Sequence, residues 1–307
     1  MQEPEKSQTD SILGIDWDNG APHARLFNCS TEAIQKVPLK NYQLSYRTVE
    51  PMTRVCIGFR ADTGDNGNSS PCLKIPAKGR KCESCNRRES IFASELHHAH
   101  RRDRGSLSSR IIDHLQKPNY LYLAVFADGS TKVGTSTARR IETRLLEQGA
   151  LLASIICETT DGFIVRTLED LVTEEMGIVQ AISTKRKMQG ILQPAHQEEI
   201  NENLGVAHGK VHKFLEHLAF DGSTLIARNW KNPENETACW EKIGKYPNSL
   251  SAGAHDLTLI SIRGRIGAFQ RSTEPDFYAA DLEEVFGIVI EKGIFPTDDL
   301  SIQGQLF

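Results

Sequence analysis

Asn119-Tyr-Leu-Tyr-Leu-Ala-Val-Phe-Ala-Asp-Gly-Ser-Thr-Lys-Val-Gly-Thr135 sets the architecture of the middle of this chain. An apolar run, an Asp-Gly pair and a second run of strand-forming residues read as a β-hairpin. The stretch Arg139 to Gln148 then has helical character, and Gly149 stands at the position where a helix ends. Leu151 to Cys157 reads as a third strand, and a second helix carries Arg166-Thr-Leu-Glu-Asp-Leu-Val-Thr-Glu. The hairpin loop decides which side chains share a face. A two-residue loop, Asp128-Gly129, pairs Lys132 with Val125 and sends it away from Tyr122. A three-residue loop, Ala127 to Gly129, pairs Lys132 with Ala124 and puts it beside Tyr122. The Asp-Gly pair is the stronger local signal for the shorter loop.

Outward from the hairpin, short strands are expected at Ile12–Trp17, Ala24–Phe27, Tyr42–Thr48 and Arg54–Phe59, with a turn at Asp18-Asn19-Gly20. Ala61 to Pro71 is a polar loop with nothing to pack. Residues 195–220 read as helix, and strands return at Leu257–Ile262 and Arg265–Phe269. The expected fold class is α+β in three consecutive regions. They are a β-rich zinc-binding region over 1–115, a sheet-and-helix domain over 116–195, and a helix plus C-terminal β region over 196–307.

Four of the seven cysteines, Cys56, Cys72, Cys82 and Cys85, fall within thirty residues. The last two form Cys-Glu-Ser-Cys, a spacing that turns both sulfurs toward one point. Zinc takes four tetrahedral ligands, and a closed set of four thiolates implies structure and not catalysis. Such an ion would hold together a loop-rich stretch with too few apolar residues to fold alone. His97, His98 and His100 follow closely enough to replace one cysteine. His208 and His212 have a metal-compatible spacing but no carboxylate motif beside them, which favours a solvated helix face.

The chain has 307 residues, 39% hydrophobic and 25% charged, with a formal net charge of −4. It lacks the overall basicity of many nucleic-acid binders. From Lys78 to Arg110, however, nine basic residues face four acidic ones, either a solvated face or a phosphate-contacting surface. No apolar run approaches the roughly 20 residues that span a bilayer. The N-terminal Met-Gln-Glu-Pro-Glu-Lys is too polar for a secretory signal. A cytoplasmic, reducing setting is therefore expected, with cysteines as thiols or metal ligands.

Tyr120-Leu-Tyr122, followed after ten residues by Lys132-Val-Gly134, a helical arginine and a later helical glutamate, resembles the GIY-YIG nuclease domain. Lys132-Val-Gly-Thr with Arg144-Leu-Leu-Glu-Gln-Gly-Ala150 and the upstream cysteines resembles, more specifically, a bacterial family catalogued as domain of unknown function 2797. The nuclease resemblance implies divalent-metal-dependent cleavage of nucleic-acid phosphodiesters. Tyr122 would be the first-motif tyrosine, Arg144 the arginine on the phosphate, and Glu169 the ligand of Mg²⁺ or Mn²⁺. Lys132 stands where the second tyrosine would, and a desolvated lysine can do the same proton work. Arg144 lies about two positions later than the nuclease spacing, and the closing asparagine has no counterpart. Arg101, Arg102, Arg104, Lys185 and Arg186 would contact nucleic acid, although Lys185-Arg186-Lys187 also reads as a solvated turn. The resemblance requires the odd-length hairpin loop, against the local signal. Two other classes stay open: a non-catalytic nucleic-acid-binding zinc protein, and an enzyme acting on a small molecule in the same cleft.

Overall fold

The computed structural model describes residues 9–59, 72, 74–76, 79–272 and 274–295. The polar loop from Ala61 to Pro71, and Lys78 of the basic segment, lie outside them. In chain order the strands are β1 (Thr9–Asp18), β2 (Ala21–Asn28), β3 (Ile34–Pro38), β4 (Tyr42–Thr48), β5 (Asn119–Val125), β6 (Thr131–Thr137) and β7 (Leu152–Thr159). They continue with β8 (Ser223–Lys231), β9 (Ile243–Lys245), β10 (Ala254–Arg263), β11 (Ile266–Arg271), β12 (Phe277–Asp281) and β13 (Val289–Lys292). The α-helices are α1 (Glu83–His97), α2 (Ser109–Leu115), α3 (Ile141–Gln148), α4 (Gly162–Met176), α5 (Thr184–Leu192) and α6 (Gln197–Leu218). The class is mixed α+β.

The chain divides into two units and not into three consecutive regions. The first takes the described residues within Met1–Phe59, Ser69–Asn86 and Thr237–Phe307; the second takes those within Arg87–Glu236. The first unit holds one nine-stranded sheet in the order β3-β2-β1-β13-β4-β10-β11-β12-β9. The N-terminal and C-terminal β regions, expected as separate, are thus one sheet, because β13 inserts between β1 and β4. Asn19 and Gly20 join β1 to β2, both with positive φ, as a two-residue hairpin turn demands. The expected strand at Arg54–Phe59 is reduced to a single bridge between Arg54 and Ile288.

The second unit is built on a four-stranded antiparallel sheet, β6-β5-β7-β8. β5 lies inside it and both of its faces are buried, which explains its continuous apolar run. Leu121 and Leu123 face Val165, Leu168 and Val172 of α4 and Ala207, Val211 and Leu215 of α6. Tyr122, Ala124 and Phe126 face the other way, onto Ile141 and Leu145 of α3. Helices therefore cover both faces. Asp161 caps α4, its Oδ1 accepting from the N–H groups of Phe163 and Ile164 at 2.9 Å each.

The hairpin loop has three residues. Ala124 pairs with Lys132 and Tyr122 with Gly134, so Tyr122 and Lys132 share a face. The Phe126 N–H donates to the Ser130 carbonyl at 3.0 Å, and Gly129 takes the left-handed conformation at φ 75°. The local Asp-Gly signal is overridden by tertiary anchors. The Ala195 N–H donates to the Ala127 carbonyl at 2.8 Å. Asn203 of α6 donates to the Gly129 carbonyl at 3.0 Å, and Arg186 of α5 reaches the Asp128 carboxylate at 2.6 Å. Lys185 to Lys187 lie inside α5 and not in a turn.

Candidate functional site

Two clusters of reactive side chains stand out, one in each unit. In the first, the sulfurs of Cys56, Cys72, Cys82 and Cys85 all lie within 4.8 Å of one another. Ligands on a tetrahedral zinc, with Zn–S about 2.3 Å, stand about 3.8 Å apart, so the set fits one such ion. The segment is less loop-like than its composition suggests: Cys82 immediately precedes α1 and Cys85 lies in its first turn, at the end of the helix that favours thiolate. Cys56 Sγ accepts from the N–H groups of Cys82 at 3.2 Å and Gly58 at 3.4 Å. Burial and the neighbouring sulfurs push Cys85 up to about 12, while the Ser84 hydroxyl holds Cys82 down at about 6. One cation would let all four ionise together. The histidines are not in the set: His97 and His98 stack edge to face, and His100 bonds to Asp170.

The second cluster gathers Tyr122, Lys132, Arg144 and Glu169, from four different elements. Tyr122 is fully buried on β5, and its hydroxyl donates to Gln148 Oε1 at 3.2 Å. Its ring lies against Gly134 on β6. A Cβ on Gly134 would come within 2.6 Å of the phenol, so the glycine of the Lys-Val-Gly stretch makes room for the tyrosine. Burial pushes the phenol upward, partly offset by the Arg144 guanidinium.

Lys132 is buried two pairs along, its Nζ 5.8 Å from the centre of the Tyr122 ring. The sheet edge on which it sits is covered by the chain after α4: the Val133 N–H donates to the Val179 carbonyl, and Lys132 Nζ to the Gln180 carbonyl, both at 3.0 Å. Burial first, and then Arg144, lower Lys132 to about 8, with Glu169 opposing them. Glu169 itself is buried on α4, and its carboxylate makes no hydrogen bond or ion pair with any described residue. Burial raises its carboxyl, while Arg166, Lys132 and Arg144 pull the other way.

Asp170, next to Glu169, is by contrast fully engaged. It accepts from His100 at 2.6 Å, from Arg101 at 2.5 Å and, on its other oxygen, from Gln180 Nε2 at 3.0 Å. These bonds outweigh burial and hold it at about 2. Gln180 thereby links Asp170 to Lys132, one through its side chain and the other through its carbonyl.

The expected nucleic-acid contacts divide. Arg101 is tied to Asp170 and Arg186 to Asp128, while Arg104 lies over the Phe163 ring at 4.3 Å. Arg102 and Lys185 are exposed and have no partner among the described residues. Sequence reasoning missed Arg166, Gln148 and Gln180. Arg166 was findable, since it lies three residues before Glu169 and so on the same flank of α4. His208 and His212 stack at 5.7 Å, and His208 bonds the Ser154 hydroxyl at 2.8 Å, with no third metal ligand among the described residues.

A family model described as "Protein of unknown function (DUF2797)" matches residues 44–236. The chain belongs to this family. The match begins in β4 and ends at Glu236, so the DUF2797 region includes both clusters. No curated protein and no solved structure matches the chain. Among the described residues no helix is long and apolar enough to cross a membrane.

Proposed function

We propose that the second unit is a GIY-YIG-like, divalent-metal-dependent phosphodiesterase acting on nucleic acid, and that the four-cysteine cluster holds a structural zinc. One observation carries the catalytic reading: Glu169 is a buried carboxylate without a partner among the described residues, set among Lys132, Arg144 and Arg166. A lone carboxylate suits Mg²⁺ or Mn²⁺, which keeps water and phosphate as its other ligands. Arg144, half-exposed on α3, would meet the non-bridging phosphate oxygens with its planar fork of donors. Lys132, at about 8, is neutral in about one molecule in ten at pH 7 and would take the proton of the attacking water. Tyr122, held protonated by burial, would donate a hydrogen bond and not act as the base.

A second reading, a small phosphorylated substrate at the same cluster, is favoured by the engagement of Arg101, Arg104 and Arg186 within the protein. The test is incubation with single- and double-stranded DNA and RNA in Mg²⁺ or Mn²⁺, comparing the wild type with Glu169→Gln. Cleavage is expected in the wild type and is expected to fall at least a thousandfold in the variant. Equal cleavage by both proteins would remove Glu169 from the chemistry. Tight binding without cleavage would leave a nucleic-acid-binding protein.

A further inference from the structure

We infer that Arg166 and Arg144 form a two-armed clamp for a dianionic phosphoryl group, a phosphomonoester in the ground state. The inference rests on the phosphoryl reading of this site and names the charge state that the site takes. Arg166 stands on α4 three residues before Glu169, so both side chains emerge from one flank of the helix. Its guanidinium makes no hydrogen bond or ion pair with any described residue. A guanidinium carries five donors and cannot shed its charge, so leaving it desolvated and unpartnered costs free energy that an anion would recover. Its environment is also cationic: burial and Arg144 both disfavour its charge, against Glu169 and Asp170.

The charge balance selects the ligand. With Lys132 protonated, it and Arg144 and Arg166 oppose the carboxylate of Glu169; Glu147, 4.0 Å from Arg144, is balanced by Arg140 at 2.8 Å, and the Asp170 charge by Arg101. An excess of two positive charges matches a phosphoryl group with two negative charges better than a diester with one. The same preference would serve cleavage, in which a divalent ion on Glu169 would add positive charge and strengthen it. When water attacks a monoanionic diester and gives its proton to Lys132, the pentacoordinate phosphorus carries two negative charges. As the P–O bond breaks, the leaving oxygen takes the remaining proton of the attacking water, Lys132 stays protonated, and a dianionic monoester remains. A site tuned to the dianion holds the transition state more tightly than the substrate.

The experiment is titration of inorganic phosphate, and separately of dimethyl phosphate, into wild type and Arg166→Gln at pH 7.5. No divalent metal and no chelator is added, so any zinc stays in place. Wild type is expected to bind phosphate at least tenfold more tightly than dimethyl phosphate, and Arg166→Gln to lose that preference. Equal affinity of wild type for the two ligands, or an unchanged preference in the folded variant, overturns the clamp. Should Arg166→Gln fail to fold, the Nε–Hε resonance of Arg166 in ¹⁵N-labelled wild type decides. A saturable shift with phosphate supports the clamp, and an unmoved resonance overturns it. Cleavage is not measured at any step, so the clamp and the nuclease reading stand or fall separately.

Discussion

The four-cysteine cluster of the first unit and the Tyr122–Glu169 cluster of the second are both dense gatherings of polar groups, yet they are satisfied in opposite ways. In the first, all four sulfurs lie within 4.8 Å of one another, a set that fits one tetrahedral cation. In the second, Glu169 and Arg166 lie close and unsatisfied, and Lys132 is held at about 8 by burial and a neighbouring arginine. Structural sites minimise such frustration, whereas functional sites retain it for a ligand to relieve. On the proposed reading, removing the first cluster would unfold the protein and removing the second would silence it.

The largest effect is expected in the first. Structural zinc contributes about 10–16 kcal/mol in small thiolate sites. Cys82→Ser should therefore release the metal and abolish cooperative unfolding of the first unit, read by elemental analysis and thermal denaturation. Wild type purified without chelator is expected to carry about one zinc per chain; a metal-free, stable protein would break the comparison at once.

Gly134→Ala probes the second cluster sterically. Its methyl group would collide with Tyr122, a cost of about 1–3 kcal/mol for overpacking, with loss of any cleavage activity. Retained stability together with retained activity would mean that Tyr122 can move aside freely.

Lys132 provides a gradual measure. Its folded value of about 8 is below the ordinary 10.5 of lysine, so between those values the unfolded chain binds more protons than the folded one. Stability owed to this group therefore rises as pH increases from about 8 toward 10.5, and below that window the buried ammonium destabilises by up to about 3 kcal/mol. Lys132→Met should be more stable than wild type at pH 7, with the gap closing by pH 10. A gap that is constant with pH would show that Lys132 does not titrate early.

The smallest effect concerns salt. If nucleic acid binds, Arg102→Gln with Lys185→Gln should reduce the slope of log affinity against log salt by roughly one to two. Arg186→Gln should alter it less, because that side chain is already held by Asp128. Equal slopes in all variants would leave these residues as solvated charge.

Much of this molecule is legible in the order of its residues. The cysteine spacing, the Asn19-Gly20 turn, the order of strands and helices from Asn119 to Met176 and the long α6 all follow from local chemistry: turn residues, caps and apolar periodicity act over a few positions. Tyr122, Lys132, Arg144 and Glu169 could be proposed only through the resemblance to the nuclease pattern, since by themselves they read as ordinary sheet and helix residues. What could not be read were the strands β3, β8, β9, β12 and β13, the helices α1, α2 and α5, and the joining of the chain's two ends. A four-residue strand such as Val289–Lys292 carries no distinctive pattern, and its place between β1 and β4 depends on partners more than 200 residues away.

The hairpin shows the division most sharply. Sequence by itself determined that two strands meet around Asp128-Gly129, because those residue types favour a turn whatever surrounds them. It could not determine the loop length, since the shorter and longer turns differ by only small local free energies. Arg186, Ala195 and Asn203, all distant in sequence, bind the loop in its three-residue form. Because side chains alternate along a strand, that one added residue turns Lys132 onto the Tyr122 face. Residue identity was written locally; the site they compose was decided by tertiary contacts, which alone distinguish between registers of nearly equal local cost.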